Sequence, residues 1–307
     1  MTRGLIAGID LGASNVRVAI VNHDGEVQAR RPMPYGGGAP GELLDRLADT
    51  VGQLARSVWV GGAVDAIGMA LPGAVNPQRG TVASAANLPG WDDVHLVDDL
   101  RGRCGVPVAI DNDANAAALG EGWLGAAKGL RDFVFIALGT GIGSGVVLDG
   151  RLRRGPHFLA GEVAFFAMTP DHVRAPGWDA CLEGVAGGRA YDRMARELLG
   201  AHASGRDLFA AARGGDAAAQ RAVRNGQEYL AMAIADVIAV LDLEAVVFGG
   251  GVAAAQGEWF LAPVREMALR CVPSRPWLVL SSLGEDAQLL GAVRLALDSL
   301  EARGAAK

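Results

Sequence analysis

DFVFIALGTGIGSGVVLDGRLRRG, residues 132–155, and GLIAGIDLGASNVRVAIVNHDGEVQARR, residues 4–31, share one layout. In each segment two apolar runs flank a turn of small residues, and a second turn containing Asp-Gly leads into a third run. The pattern predicts two copies of strand, small-residue turn, strand, hairpin and strand. A duplication of this kind indicates an α/β protein built from two related halves.

The remaining patterns fill in both halves. Apolar residues at helical spacing predict helices, and short apolar runs that end in turns predict strands. Helices are expected over 41–58, 97–105, 114–126, 189–199 and 216–241, near 257–271, and over about 286–302. Strands are expected at 66–71, 106–110, 245–249 and 277–282.

Composition limits the class of protein. The chain has 307 residues, half of them hydrophobic, and a net charge of −6. An acidic chain is not expected to bind nucleic acid or an anionic membrane, although backbone amides can still bind small anions. Cys104, Cys181 and Cys271 are scattered and form no CxxC pair. Reduced thiols, the absence of a secretory pattern and the absence of an apolar run of ~20 residues predict a soluble cytoplasmic protein.

The first small-residue turn is Asp10-Leu11-Gly12-Ala13-Ser14-Asn15. Gly12 has no Cβ, so phosphate oxygens can approach the backbone amides of the turn closely. Asp10 can hold a hydrated Mg²⁺ ion on those phosphates. Taken alone, the segment is also typical of an ordinary hairpin with an Asx turn.

Two further glycine clusters strengthen the case for a nucleotide. Gly139, Gly141, Gly143 and Gly145 alternate with Thr140, Ile142 and Ser144. Glycine at every second position weakens a strand, and close approach of a nucleotide is a natural compensation. The segment is neither a P-loop nor a dinucleotide-binding fingerprint. Gly249, Gly250 and Gly251 end a strand before a helix, which also suits a nucleotide.

Asp111, Asn112 and Asp113 crowd the junction between a predicted strand and a predicted helix. Helix capping accounts for one or two of the three residues. It does not account for the whole group at the end of a buried strand, where ligands commonly bind in α/β sheets. A carboxylate here can accept the proton of a substrate hydroxyl during phosphoryl transfer.

Together these motifs resemble the ROK family of sugar kinases and repressors, within the sugar kinase/actin/Hsp70 superfamily. The resemblance covers residues 4–298 and rests on GIDLGASN, IDNDANAAALGE, LGTGIGSG, AGEV, CLEG and VVFGGGV. It implies two ribonuclease H-like α/β lobes, the actin-like ATPase fold, around a central cleft. We expect an N-terminal lobe over 1–115 with part of the sugar site, and a C-terminal lobe over 116–287 with the ATP site and most of the dimer interface. The C-terminal helix, 288–307, is expected to pack on the first lobe.

The resemblance also implies site residues. Asp113 matches the catalytic base that takes the proton of a sugar 6-hydroxyl group. The positions that match the sugar side are Gly73, Asn87, Asn112, Asp113, Glu162 and Glu183. The ATP side corresponds to Asp10, Gly12, Ala13, Ser14, Asn15, Gly139, Thr140, Gly141, Gly143, Gly249, Gly250 and Gly251. Mg²⁺ comes with the nucleotide, with Asp10 as its expected ligand, and the family suggests a homodimer.

The chain departs from the family between Glu162 and Glu183. The family has GEIGH and then CxCGxxGCLE, whereas this chain has GEVAFF and APGWDACLE. Phe165 replaces the histidine, which in the family approaches the 1- and 2-positions of the sugar, and only Cys181 remains of the cysteines. Structural zinc needs about four Cys or His ligands, so no zinc is predicted. Phe165, Phe166, Met168 and Trp178 are expected to form an apolar cluster in its place.

Three functions remain to be compared. The first is ATP-dependent phosphorylation of a hexose such as glucose, or of an amino or N-acyl sugar such as N-acetylmannosamine, because Phe165 changes the polar pairing that discriminates sugars. The second is a sugar-responsive repressor, which needs a helix-turn-helix domain ahead of the first strand. The third is a non-catalytic sugar-binding regulatory protein. Asp113 and the glycine turns favour the kinase.

Overall fold

The computed structural model describes residues 4–12, 15–84, 90–175 and 177–305. Strands and helices alternate along most of this chain. The strands are β1 (Leu5–Leu11), β2 (Asn15–Asn22), β3 (Val27–Pro34), β4 (Ala66–Leu71), β5 (Ala74–Asn76), β6 (Thr81–Ser84), β7 (Val108–Asn112), β8 (Phe133–Leu138), β9 (Ile142–Leu148), β10 (Arg151–Arg153), β11 (Ala245–Gly249) and β12 (Trp277–Leu280). The helices are α1 (Pro40–Val58), α2 (Leu96–Cys104), α3 (Asp113–Leu124), α4 (Pro170–Arg174), α5 (Leu182–Ala186), α6 (Gly188–Leu199), α7 (Gly205–Arg213), α8 (Ala217–Leu241), α9 (Gly250–Gln256), α10 (Glu258–Arg270) and α11 (Ala287–Ala305).

The chain divides into two compact units. The first comprises Met1–Gly129, Arg154–Leu159 and Glu285–Lys307, and the second comprises Leu130–Arg153 and Ala160–Gly284. Helix α3 therefore lies in the first unit, together with the last helix, α11.

Each unit contains a five-stranded sheet, and the two sheets have the same topology. In the first unit the order is β3-β2-β1-β4-β7, and in the second it is β10-β9-β8-β11-β12. In the first sheet β2 pairs antiparallel with both β1 and β3, while β1, β4 and β7 are parallel. The second sheet repeats this with β9 antiparallel to β8 and β10, and with β8, β11 and β12 parallel. The predicted duplication and the α/β class are confirmed.

The first sheet is packed closely against helix α11. Every residue of β1 and β4 is buried, which is typical of parallel strands covered on both faces. A Cβ on Gly68 of β4 would lie only 1.6 Å from the carbonyl oxygen of Ala292, and a Cβ on Gly291 would lie 1.6 Å from that of Ala116 in α3. Only glycine at these two positions allows α11 to approach both β4 and α3.

The second unit has a larger helical core. Its buried side chains come from one face of the sheet and from α5 to α10, with Tyr191, Phe209 and Phe260 in mutual ring contact at centroid distances of 4.8 to 6.1 Å. Across the described residues of both units, no helix combines the length and the apolarity that a membrane crossing requires.

Candidate functional site

In the first unit, the junction of β7 and α3 carries the predicted catalytic residues. Asn112 is the N-cap of α3, because its Oδ1 accepts hydrogen bonds from the backbone N–H groups of Ala114 (2.9 Å) and Asn115 (3.5 Å). Its Nδ2 donates to the carbonyl oxygen of Gly73 at 3.1 Å. Gly73 has φ of +103°, which favours glycine there. Capping therefore explains Asn112, and the remaining polar groups have other roles.

Asp113 is the first residue of α3 and is half-buried. Its Oδ1 accepts a hydrogen bond of 2.8 Å from the N–H group of Ala114. A carboxylate in the first turn of a helix is stabilised by the partial positive charge of that helix end. A carboxylate at this position is a candidate general base.

Asp111 holds this junction together through hydrogen bonds. It is 1% exposed, and its Oδ1 accepts from the N–H group of Asn112 (2.8 Å) and from Nδ2 of Asn115 (2.9 Å). Its Oδ2 accepts from Nε of Arg154 at 2.6 Å. Arg154 therefore pairs with a buried carboxylate, whereas its neighbour Arg153 pairs with the exposed Asp149.

The first small-residue turn places Asp10 against Arg17 rather than in open solvent. Asp10 is 8% exposed, and its Oδ2 accepts from Nε (2.9 Å) and Nη2 (2.6 Å) of Arg17. Burial raises the pKa of Asp10, and the charge and hydrogen bonds of Arg17 offset part of that rise. Gly12 closes the turn by donating from its N–H group to the carbonyl oxygen of Asn15 at 2.9 Å. Ala13 and Ser14 lie outside the described residues, as does Asn87.

In the second unit, the glycine turn at residues 139–141 meets both α6 and the third glycine cluster. The carbonyl oxygens of Gly139 and Thr140 each accept a backbone hydrogen bond of 2.9 Å from the start of α6. Gly250 has φ of +85°, and a Cβ there would lie 2.6 Å from the carbonyl oxygen of Leu138. The structure therefore brings together two glycine clusters that are more than 100 residues apart in the chain.

The glycines differ in what they make room for. A Cβ added to Gly139 or Gly251 would meet no heavy atom within 4 Å, so a ligand can approach the backbone at these positions. A Cβ on Gly141 would lie 2.2 Å from Oε2 of Glu183. The space at Gly141 is thus occupied by a carboxylate of the protein itself. The open cradle at Gly139 and Gly251 fits the close approach of a nucleotide.

Glu183 and Glu162 lie close enough to influence each other. Oε2 of Glu183 accepts a hydrogen bond of 2.7 Å from the N–H group of Ile142. Partial desolvation, and then the negative charge of Glu183, raise the pKa of Glu162. Two neighbouring carboxylate groups can accept hydrogen bonds from the hydroxyl groups of a polyol.

The four apolar residues between these carboxylates divide into an exposed ring pair and two residues of the core rather than forming one cluster. The rings of Phe165 and Trp178 are in tilted contact at a centroid distance of 5.3 Å, and the two residues are 58% and 59% exposed. Phe166 is half-buried and packs against the core, in which Met168 is 9% exposed. The expectation of a single apolar cluster is therefore corrected. Phe166 and Met168 attach the segment to the core, and Phe165 and Trp178 present an aromatic surface.

Local hydrogen bonds hold this segment together. The N–H group of Leu182 donates to the carbonyl oxygen of Phe166 at 2.9 Å, and Sγ of Cys181 lies 3.0 Å from the carbonyl oxygen of Trp178. Nδ1 of His172 accepts from the N–H group of Met168 at 3.1 Å. The described part of the chain contains no group of three or more His, Cys, Asp or Glu side chains arranged to hold a metal.

The comparisons with known proteins agree with the fold and with these motifs. A profile of the ROK family matches residues 6–299. The chain is 31% identical to a glucokinase of Streptomyces coelicolor, over 95% of this chain and 98% of the relative. It is 34% identical to an N-acetylmannosamine kinase of Shigella flexneri, with coverage of 95% and 98%.

Two solved structures extend the likeness to three dimensions. A ROK hexokinase from Thermus thermophilus superposes with a TM-score of 0.88 at 31% identity, over 97% of this chain and 99% of that one. A ROK family glucokinase from Streptomyces griseus, solved with glucose and AMPPNP, gives a TM-score of 0.79 at 30% identity, over 96% and 100%. With its duplicated sheets, glycine turns and paired carboxylates, the chain belongs to the ROK family of the sugar kinase superfamily.

Proposed function

We propose that this chain transfers the γ-phosphoryl group of ATP to the 6-hydroxyl group of a hexose, with Asp113 as general base. The observation that carries the proposal is the junction of β7 and α3, where the carboxylate of Asp113 stands at the carboxyl end of a buried parallel strand. ATP-dependent sugar phosphorylation is further supported by full-length relatives that are glucokinases and by a family glucokinase solved with glucose and an ATP analogue.

Four residues would prepare the junction for this chemistry. Asp113 accepts the proton of the attacking hydroxyl group, which makes that oxygen a better nucleophile. Asn112 has its amide orientation fixed by Gly73 and by the first turn of α3, so it can hold a neighbouring hydroxyl group in a defined position. The Asp111–Arg154 ion pair keeps the end of β7 in place.

In the second unit, Glu162 and Glu183 are proposed to accept hydrogen bonds from sugar hydroxyl groups. The hydrogen bond from Ile142 orients Glu183. Partial desolvation raises the pKa of Glu162, and a hydrogen bond from a hydroxyl donor would stabilise its ionised form. Phe165 is proposed to contact the sugar through its exposed ring.

The remaining glycines are proposed to bind the nucleotide. Gly139 and Gly251 leave open space beside the backbone, and only glycine fits at position 250, where a Cβ would clash with the Leu138 backbone. Bound ATP supplies the phosphoryl group that is transferred, and Mg²⁺ is proposed to accompany it. Asp10 would then share its carboxylate between Arg17 and the hydrated cation, since Arg17 occupies one of its two oxygens. We also propose that the enzyme is a cytoplasmic homodimer that contains no zinc.

The test is hexose-dependent release of ADP from Mg-ATP. Wild type is compared with Asp113→Asn, and with Asp49→Asn on the exposed side of α1 as the matched control. A loss of about 10³-fold or more in kcat for Asp113→Asn alone is expected for removal of a general base. Equal rates in all three proteins would exclude Asp113 as the base. Absence of ADP release with every hexose and N-acyl hexosamine tested would instead favour a non-catalytic sugar-binding protein.

A second candidate substrate is an N-acyl hexosamine. The exposed Phe165–Trp178 pair offers an apolar surface, and the N-acetylmannosamine kinase of Shigella flexneri is as similar to this chain as the glucokinases are. The acyl methyl group can pack on an aromatic ring, whereas a hydroxyl group at the same place finds no hydrogen-bond partner on the ring. The ratio of kcat/KM for N-acetylmannosamine and glucose decides between them.

A further inference from the structure

A cavity of about 570 Å³ lies in the first unit, outside the residues assigned above to sugar and nucleotide. It is bounded by the turn between β5 and β6, the first turns of α2, strand β7 and the last turns of α11. The volume falls within the range of ~300–1,000 Å³ that is typical of small-molecule sites.

The walls carry more positive than negative charge. Four arginines, Arg79, Arg101, Arg154 and Arg303, line the cavity with two aspartates, Asp98 and Asp298.

Each acid on the wall already has a partner. Asp98 pairs with Arg101 at 2.6 Å, and Asp298 pairs with Arg294, which is not part of the lining. Arg154 is paired with the buried Asp111.

Two guanidinium groups remain without an acidic partner. Within the described residues, the side chains of Arg79 and Arg303 make no ion pair or hydrogen bond. Both residues are exposed at the cavity, in a protein whose net charge is −6. Unpaired arginines on a concave wall are suited to an oxyanion, because the guanidinium fork binds phosphate or carboxylate with two parallel hydrogen bonds.

The rest of the wall indicates a ligand larger than a bare anion. Gln78 and Ser299 add neutral hydrogen-bonding groups, and the paired carboxylates of Asp98 and Asp298 can accept from hydroxyl groups. We propose that this cavity is a second small-molecule site, which binds a phosphorylated ligand of about hexose size through Arg79 and Arg303.

Arg154 connects this site to the catalytic junction. The same side chain lines the cavity and holds Asp111, which in turn bonds the N–H group of Asn112. A ligand in the cavity would therefore be connected to the segment that carries Asp113 through the ion pair between Arg154 and Asp111. For this reason Arg154 is unsuitable for testing the site, because its substitution would disturb the junction as well.

The test measures binding by isothermal titration calorimetry, without turnover. The probes are glucose 6-phosphate, inorganic phosphate and glucose, each titrated into wild type, the double variant Arg79→Gln/Arg303→Gln and the control Arg31→Gln/Arg56→Gln. The control removes the same charge from exposed positions of the first unit that do not line the cavity. Unchanged glucose binding in both double variants shows that the fold and the sugar site are intact.

We expect glucose 6-phosphate to bind at least tenfold more weakly to Arg79→Gln/Arg303→Gln than to wild type and the control, and to bind wild type more tightly than inorganic phosphate does. Equal affinity for glucose 6-phosphate in all three proteins would overturn the site, because binding at the kinase site alone would be insensitive to these arginines. Equal losses of affinity for glucose 6-phosphate in both double variants would also overturn the site, because the effect would then come from net charge and not from these two arginines. Inorganic phosphate binding as tightly as the sugar phosphate would overturn the assignment of a hexose-sized ligand.

Discussion

Oε2 of Glu183 accepts a hydrogen bond of 2.7 Å from the backbone N–H group of Ile142. A carboxylate proposed to bind sugar is thus fixed by the glycine turn proposed to bind the nucleotide, within one unit of the protein. The missing side chain at Gly141 provides the space for that carboxylate. The alternating glycines consequently have two different roles, which substitution can separate.

We expect Gly141→Ala to weaken sugar binding about tenfold, because the new methyl group would displace Glu183 and break a hydrogen bond to a charged group. Gly139→Ala is the matched control, since its methyl group meets no protein atom. That control is expected to leave the Kd for sugar unchanged and to raise the KM for ATP. Calorimetric titration with sugar and steady-state kinetics measure the two effects. If both variants change the Kd for sugar and the KM for ATP to the same extent, the two glycines do not have separate roles.

Arg154→Gln is expected to lower the free energy of unfolding by about 2–3 kcal/mol, because it leaves the buried Asp111 without its cationic partner. The loss lies at the lower end of the usual range since the side chain of Arg154 is 32% exposed. Arg153→Gln removes an exposed pair with Asp149, so a change of no more than about 0.5 kcal/mol is expected there. Urea denaturation compares the two. Similar small changes in both would mean that the Asp111 pair contributes little.

Glu162→Gln is expected to raise Tm at neutral pH, and the gain should fall as the pH is lowered towards 4.5. The folded-state pKa of Glu162 is raised above its ordinary value of 4.5, so its contribution to stability is present below that value and is lost as pH rises through the folded pKa. Glutamine mimics the protonated form and keeps that stability at all pH values. Glu197→Gln, exposed on α6, controls for the loss of one negative charge.

The same Glu162→Gln variant should bind sugar more weakly, because a neutral amide is a poorer acceptor for hydroxyl groups than a carboxylate. Thermal unfolding at several pH values and sugar titration at pH 7 give both readouts. A Tm that does not depend on the substitution at any pH would contradict the stability argument. Unchanged sugar affinity would remove Glu162 from the proposed site.

Phe165→Ala is expected to reduce kcat/KM for N-acetylmannosamine relative to glucose while leaving stability within about 0.5 kcal/mol, since Phe165 is exposed. Phe166→Ala should instead destabilise the fold by about 2 kcal/mol, because the ring is half-buried against the core. Competition between the two sugars and thermal unfolding separate selectivity from stability. An unchanged substrate ratio in Phe165→Ala would show that this ring does not select the sugar.

Elemental analysis of the purified protein is expected to find no tightly bound zinc. His172 and Cys181, the remaining candidates in residues 162–183, take part in local hydrogen bonds. Inductively coupled plasma mass spectrometry after exhaustive dialysis measures the metal. One zinc per chain would refute this expectation.

The sequence predicted most of the fold because its signals are local. Two strand-turn-strand copies, buried apolar runs and helical periodicity predicted the strands of both five-stranded sheets and the long helices at nearly their observed bounds, whereas the short strands β5 and β6 were not predicted. Helix α7 was missed, although Ser204 and Asp207 form a capping box at its start. That pattern was readable in the sequence, and the buried residues Leu208, Phe209 and Ala212 also follow helical spacing.

Other features depended on contacts between distant residues. The ion pair between Asp111 and Arg154 joins positions 43 residues apart, so no local pattern contains it. Phe166 packs on the core, whereas Phe165 contacts Trp178. This difference depends on the direction in which each side chain leaves a short 3-10 turn, which no local sequence pattern specifies.

The sequence by itself determined the family, the duplicated α/β plan and the candidate acids, because these follow from residue identity and order. Only the tertiary structure decided which partner each acid has. Asp10 bonds Arg17, Asp111 bonds Arg154, and Glu183 bonds the amide of Ile142. Desolvation and hydrogen bonding are properties of packed neighbours, and packing brings residues together irrespective of their separation in the chain.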